Sequence, residues 1–176
     1  MNILIVIVSI YTFVCIRDSV YSGPMKKKLV FLASPEPGEI IFDYILKRKD
    51  RRFSRDDILT CYHDIYEGMP ADKEDRRYYQ NQQWYRIYHK YKKVDMVAST
   101  GKDFRLCRDI YIATINVLVV YLVLYMITNM ISLNVQYIMF LIVMMIVSNI
   151  AARNKGLKWV YNSLAHDITE KGTANL

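Results

Sequence analysis

The stretch IYIATINVLVVYLVLYMITNMISLNVQYIMFLIVMMIVSNIAA, residues 110–152, decides the fold. It contains no Asp, Glu, Lys or Arg, and it divides into two apolar segments, Ile110–Thr128 and Val135–Ala152. Each segment approaches the roughly 20 residues that a membrane-spanning helix needs. The short link Asn129–Asn134 forces the two helices to lie antiparallel. The sequence therefore predicts a transmembrane helical hairpin over residues 109–152.

Basic residues flank both outer ends of this hairpin. They are Lys102, Arg105 and Arg108 before it, and Arg153, Lys155 and Lys158 after it. Because Lys and Arg accumulate on the cytoplasmic side of membrane spans, we expect both outer ends in the cytoplasm and the hairpin in the cell inner (plasma) membrane. The alternative is a buried hairpin inside a soluble bundle, for which a chain of 176 residues has too little polar cover.

One face of the first predicted span carries polar side chains at alternating steps of three and four residues. Its candidate site residues are Thr114, Tyr121, Tyr125 and Thr128. In lipid, hydroxyl groups favour a protein partner or water over acyl chains. This face therefore predicts either the packing seam between helices or the lining of a pore in a homo-oligomer.

The charged part of the chain carries all 24 Lys and Arg and all 17 Asp and Glu residues, and the net charge is +7. Most of these charges fall in a basic helical cytoplasmic region, residues 25–108, and a juxtamembrane tail, residues 153–176; Arg17, Asp18 and Asp109 lie outside both. Residues 1–24 begin with a short apolar run and predict an N-terminal membrane anchor; cleavage of this segment and a translation start at Met25 are the alternatives. The fold class is thus an all-α membrane protein with a helical basic body and a transmembrane hairpin.

Local patterns place the helices of the basic region. Apolar periodicity predicts a helix over Glu39–Lys49, and Ser54 with Asp57 forms a capping-box pattern that opens a second helix, which stops at Gly68. A longer helix is predicted over Ala71–Lys93, followed by a break at Ser99–Gly101.

The predicted helix over residues 71–93 interleaves tyrosines with the basic residues Arg76, Arg77, Arg86 and Lys90. Aromatic rings that stack on bases, beside cations that hold phosphates, are typical of nucleic-acid binding. The more ordinary interpretation is an amphipathic helix whose tyrosines pack along a seam. Both interpretations stay open at the level of sequence.

No residue pattern predicts a metal site, a cofactor or a small-molecule substrate. The histidines have no metal-ligand spacing, the cysteines match no metal or redox pattern, and no glycine-rich phosphate loop occurs. The one motif with chemical potential follows the hairpin: Arg153-Asn154-x-x-x-Lys158, with Asn162 and His166 on the same helix. Arg, Asn and His on a helix can bind phosphate, and they also occur in basic helices beside anionic lipid.

The motif at Arg153, Asn154 and Lys158 resembles the R-N-x-x-x-H motif of HEPN ribonucleases, a helical family. Lys158 stands in the place of the histidine that transfers protons, so we predict no enzyme activity. With its basic helical body and membrane segments, the chain resembles the small membrane-anchored accessory proteins of type VI CRISPR systems, which target RNA.

This resemblance implies a membrane accessory effector of prokaryotic antiviral defence. Such a protein would form an oligomeric pore that alters membrane permeability when the partner RNA-guided nuclease is activated. Its partners would be the membrane, copies of itself, and the nuclease or its RNA. Two alternatives stay open: a membrane-tethered HEPN-like ribonuclease with His166 in the histidine's role, and a non-catalytic anchor that recruits a nucleic-acid-bound partner.

Overall fold

The computed structural model describes residues 21–32, 34–127 and 132–174, which are helical with no β-strand among them. Their helices are α1 (Gly23–Phe31), α2 (Pro37–Lys47), α3 (Arg55–Cys61), α4 (His63–Glu67), α5 (Lys73–Tyr91), α6 (Asp95–Ile127) and α7 (Val135–Ala174). The all-helical prediction is confirmed for this part of the chain. The N-terminal anchor predicted for residues 1–24 lies outside the described residues, apart from residues 21–24.

The chain divides into two compact units. The hairpin unit consists of Met1–Leu32 and Cys107–Ile150, and the body unit consists of Ala33–Leu106 and Ala151–Leu176. Helices α6 and α7 each contribute residues to both units. The domain boundaries predicted after residues 108 and 152 therefore fall inside continuous helices.

Local capping explains where the helices of the body unit begin. Glu36 and Glu39 form a capping box at α2, and Pro37 occupies the first turn, where a missing N–H costs nothing. The capping box predicted at Ser54 is confirmed: the Asp57 N–H donates to Ser54 Oγ at 3.1 Å, and the Ser54 N–H donates to Asp57 Oδ2 at 2.7 Å. The helix predicted from this cap is interrupted at Tyr62, which separates α3 from α4.

Helices α2 and α5 pack closely because Gly38 and Gln80 allow it. A Cβ atom at Gly38 would lie 2.9 Å from Trp84 Cε3, so only glycine permits this approach. The buried Gln80 side chain accepts a hydrogen bond from the Phe42 N–H at 3.1 Å and donates to Asp43 Oδ2 at 2.8 Å. The helix predicted over residues 71–93 is confirmed as α5.

The predicted chain break at Ser99–Gly101 is wrong, because α6 continues through it. Thr100 Oγ1 donates to the Met96 and Val97 carbonyl oxygens of its own helix. A Cβ atom at Gly101 would lie 2.9 Å from Trp159 Nε1, so the glycine admits the Trp159 ring rather than ending the helix.

Helices α6 and α7 are each long and apolar enough to cross a membrane. They contain 33 and 40 residues, or roughly 50 and 60 Å at 1.5 Å per residue. Within the most apolar 18-residue windows of the two helices, only 11% and 17% of the residues are buried. The core helix of a soluble protein would be mostly buried, so these two helices are candidates for membrane association.

Polar contacts hold the hairpin unit together at both ends of its helices. The Tyr21 hydroxyl donates to Asn116 Oδ1 at 2.9 Å, and Asn149 Nδ2 donates to the Val30 carbonyl oxygen at 3.0 Å. At the other end, the Tyr121 hydroxyl donates to the Ser132 carbonyl oxygen at 3.0 Å and accepts from the Asn134 N–H at 2.8 Å. A single tyrosine hydroxyl therefore joins α6 to the segment that leads into α7.

Candidate functional site

A cationic cavity in the body unit is a candidate site. Its volume is about 510 Å³, within the range of about 300–1,000 Å³ that small-ligand sites occupy. It lies between the C-terminal end of α2, the segment after it, and one face of α7. The residues that line it are Tyr44, Arg48, Asp50, Arg52, Asn154, Leu157, Lys158, Tyr161 and Asn162.

Helix α7 contributes a polar row to the cavity. Asn154, Lys158 and Asn162 recur every four residues, so they share one face of the helix. Lys158 is exposed, whereas the Asn162 side chain retains only 7% exposure. Within the described part of the chain, the Asn162 carboxamide makes no hydrogen bond although it borders the cavity.

An ion pair after α2 forms another part of the lining. Arg52 donates to both carboxylate oxygens of Asp50, with Nε–Oδ1 at 3.0 Å and Nη2–Oδ2 at 2.8 Å, and the Tyr161 hydroxyl also donates to Oδ2. The hydrogen bond from Arg52 holds the pKa of Asp50 well below its ordinary value. Burial, with the hydrogen bond to Asp50, raises the pKa of Tyr161 to about 12. Asp50 is therefore ionised and Tyr161 neutral at physiological pH.

Arg48 lies over the aromatic rings of the cavity. Its guanidinium carbon is 5.0 Å from the centre of the Tyr161 ring, and Nη1 donates to the Tyr44 hydroxyl at 2.7 Å. Cation–π contact and one hydrogen bond hold the side chain there, while the remaining N–H donors of the guanidinium stay available.

The charges of the lining do not balance. Three cations (Arg48, Arg52 and Lys158) face one carboxylate, Asp50, and that carboxylate is already paired with Arg52. Among the described residues, neither Arg48 nor Lys158 forms a salt bridge. The cavity is consequently a cationic site with hydrogen-bonding amides, which suits an anion.

The structure brings together only part of the predicted HEPN-like motif. Asn154, Lys158 and Asn162 line the cavity, but Arg153 and His166 do not. Arg153 Nη1 donates to Ser34 Oγ at 3.3 Å, and the His166 ring packs edge-on against Tyr91 with centroids 4.8 Å apart. Arg153 and His166 therefore contact different neighbours from those of the cavity residues.

A buried carboxylate, Asp167, was not found from the sequence. Its side chain is 3% exposed; it accepts hydrogen bonds from the hydroxyls of Tyr62 at 2.9 Å and Tyr91 at 2.8 Å, and it pairs with Lys171 at 3.0 Å. Burial, followed by the Asp167 charge, raises the pKa of Tyr62. With its acceptors engaged, Asp167 ties α7 to the end of α5 and to the residue between α3 and α4.

The four basic residues predicted to bind nucleic acid have different surroundings. Arg76 forms a two-point ion pair with Asp43 and lowers the pKa of that carboxyl through their hydrogen bonds. Lys90 lies 3.8 Å from Glu170 and 4.7 Å from the Tyr91 ring centre. Arg77 is half-buried and Arg86 is exposed.

The aromatic residues of α5 also divide between core and surface. Trp84 and Tyr91 are buried, whereas Tyr78 is 68% exposed. Trp84 and Tyr88 pack against Trp159 of α7, with ring centroids at 5.1 and 5.0 Å. Nucleic-acid binding by this helix stays a prediction.

The candidate pore residues lie in the hairpin unit. Thr114 is buried and donates to the Ile110 carbonyl oxygen of its own helix at 2.9 Å. Tyr121 makes the hydrogen bonds to Ser132 and Asn134, and Tyr125 is 41% exposed. Thr128 lies outside the described residues.

Comparisons with known proteins supply no relative. No protein-family model, no curated protein and no solved structure matches the chain. Across the described residues, no group of His, Cys, Asp and Glu side chains is arranged to hold a metal ion. The functional assignment therefore depends on the geometry of the two units.

Proposed function

We propose that this protein spans the membrane twice and carries its charged helical body in the cytoplasm. The observation that carries this proposal is the apolar surface of the hairpin unit. Met126, Phe140 and Val147 expose 82%, 58% and 57% of their side chains, among many similar neighbours on α6 and α7. Contiguous apolar surface of this extent is rare on soluble proteins and is what acyl chains cover.

The internal hydrogen bonds of the hairpin unit support a lipid environment. Thr114 and Ser148 donate to carbonyl oxygens of their own helices, and Tyr121 finds both of its partners in the segment before α7. A span in hydrocarbon must satisfy its polar groups internally because acyl chains offer no partner. We therefore assign Tyr121 to the seam of the hairpin.

We further propose that the protein is a non-enzymatic accessory effector of prokaryotic antiviral defence, which assembles in the membrane and alters its permeability. The resemblance to accessory proteins of type VI CRISPR systems supports the defence role. Two helices enclose no channel, so permeation requires several copies around an axis. Tyr125, with a hydroxyl on the exposed surface of α6, is the residue we assign to a subunit seam or pore.

A variant pair tests this assembly. Tyr125→Leu removes the exposed hydroxyl and raises hydrophobicity, so it should leave insertion intact but disturb assembly. Val119→Leu changes an exposed apolar side chain on the same helix and is the control. Detergent sizing and a membrane-potential dye, in cells that carry the stimulated defence system, provide the measurements. A monomer at working concentrations, or an unchanged membrane potential during a full defence response, would contradict the pore.

A further inference from the structure

We propose that the cavity lined by Arg48, Lys158 and Asn162 binds a phosphate-bearing small ligand of about nucleotide size. This proposal goes beyond the membrane role and does not depend on it, because every residue of the cavity belongs to the body unit. It differs from the nucleic-acid surface predicted on α5, which shares no residue with the cavity.

The charge of the site selects an anion. Arg48 and Lys158 both line the cavity, one just after the end of α2 and the other on α7. The only carboxylate in the lining is compensated by Arg52 and Tyr161. Guanidinium and ammonium groups that line the same cavity are suited to the several oxygens of a phosphoryl group.

Two amide side chains of α7, Asn154 and Asn162, add hydrogen-bonding groups to the cationic lining. Asn162 is 7% exposed and has no hydrogen bond within the described residues, yet it borders the open volume. An amide that borders a cavity offers both donor and acceptor groups to the polar edge of a bound molecule.

The dimensions exceed those that a bare phosphate ion needs. A volume of about 510 Å³ leaves room beside the cations for a ring or a sugar. The Tyr44 and Tyr161 rings meet edge-to-face at 6.4 Å in the wall and offer apolar contact for such a group. A second cavity of about 380 Å³ shares Arg48 and Asp50 with the first and adds Lys47, Lys49 and Arg55 to its lining, which extends the positive surface.

Two kinds of ligand carry a phosphate of this type, namely a soluble nucleotide and the headgroup of an anionic phospholipid. Isothermal titration of the full chain in detergent with ATP and with inorganic phosphate tests the soluble source. Thermal stability of the chain in nanodiscs with and without phosphatidic acid tests the lipid source. Each measurement is repeated on Lys158→Gln, an exposed cation of the lining, and on Arg86→Gln, an exposed cation outside the cavity.

We expect Lys158→Gln to weaken binding about tenfold through loss of one charge-assisted hydrogen bond, and Arg86→Gln to leave it unchanged. ATP binding that depends on Lys158 supports the proposal with a soluble ligand. Stabilisation by phosphatidic acid that depends on Lys158, without ATP binding, supports it with a lipid headgroup.

Three results would overturn the proposal. Neither ATP nor phosphatidic acid could bind the wild type better than Lys158→Gln, or Arg86→Gln could lose as much affinity as Lys158→Gln. The third is inorganic phosphate that binds as tightly as ATP. These outcomes are separate from the membrane role, because an empty cavity leaves the insertion and assembly of the hairpin unit unaffected.

Discussion

The hairpin unit and the body unit differ in which side chains they expose and which they bury. In the hairpin unit, large apolar side chains such as Met126 and Phe140 are exposed, and the hydroxyls of Thr114 and Ser148 turn inward to their own helices. In the body unit, the apolar side chains of Ile41 and Leu164 are fully buried, and charged groups cover the surface. This contrast is what the proposed membrane role requires of a chain that meets two solvents, lipid and water.

The largest loss of stability is expected when the buried carboxylate of the body unit, Asp167, is removed. Asp167→Ala leaves the Tyr62 and Tyr91 hydroxyls and the Lys171 ammonium without their shared acceptor, which should lower the free energy of unfolding by about 3 kcal/mol. Tryptophan fluorescence during urea unfolding measures this loss, since Trp84 and Trp159 both report on the body unit. Asp64→Ala, at a fully exposed carboxylate, is the control and should change little. Equal stability of the two variants would contradict the role given to Asp167.

Two glycine-to-alanine substitutions, one in a packed position and one in an exposed position, test how tightly the body unit is packed. Gly101→Ala should destabilise the body unit by about 1 kcal/mol despite the better helix propensity of alanine, because the new Cβ meets the enclosed Trp159 ring at 2.9 Å. Gly172→Ala, also in a helix but with no atom within 4 Å of the new Cβ, should instead stabilise by a few tenths of a kcal/mol. Thermal unfolding of both variants provides the test. A stabilised Gly101→Ala protein would show that the contact with Trp159 does not constrain α6.

Acid should weaken the body unit before it affects the hairpin unit. The pKa values of Asp50 and Asp43 are lowered, first by hydrogen bonds from Arg52 and Arg76 respectively. A carboxyl whose pKa is lower in the folded state stabilises the fold above its ordinary pKa, near 3.8, and this stability is lost as the pH falls towards the folded value. Urea unfolding followed by tryptophan fluorescence between pH 6 and pH 2 should show the decline, and Asp50→Asn should flatten it. An unchanged pH dependence in Asp50→Asn would contradict this assignment.

The smallest loss of stability is expected when a single hydroxyl is removed from the hairpin unit. Tyr121→Phe removes the hydroxyl that contacts Ser132 and Asn134, and should weaken the hairpin by about 0.6 kcal/mol, as single polar contacts do in membrane helices. Tyr125→Phe is the matched control, because within the described residues the Tyr125 hydroxyl has no hydrogen bond. Forced unfolding or steric trapping of the hairpin in bilayers measures the difference. A larger loss of hairpin stability in Tyr125→Phe than in Tyr121→Phe would contradict the assignment of Tyr121 to the seam and would assign Tyr125 to it instead.

Sequence patterns predicted the features that depend on neighbours along the chain. The cap at Ser54, the helix that became α5 and the two apolar helices all follow from local spacing. The pattern was misleading at Ser99–Gly101, because the function of Gly101 depends on Trp159, which lies far away in the sequence.

The cavity shows the same division between local and distant information. Helical spacing places Asn154, Lys158 and Asn162 on one face, and the sequence already singled them out. Arg48 and Asp50 precede them by about a hundred residues, so only the fold brings them into the same cavity. Asp167 was missed because nothing in its local sequence indicates that Tyr62 and Tyr91, both far away along the chain, donate hydrogen bonds to it.

Topology in living cells tests the central claim most directly, since a two-span hairpin separates its turn from its charged ends. A reporter inserted at Asn134 and another fused after Leu176 are read out in parallel for activity on either side of the inner membrane. We predict that the Asn134 reporter lies on the outer side of the membrane and that the Leu176 reporter lies in the cytoplasm. Finding both reporters on the same side would contradict the membrane hairpin.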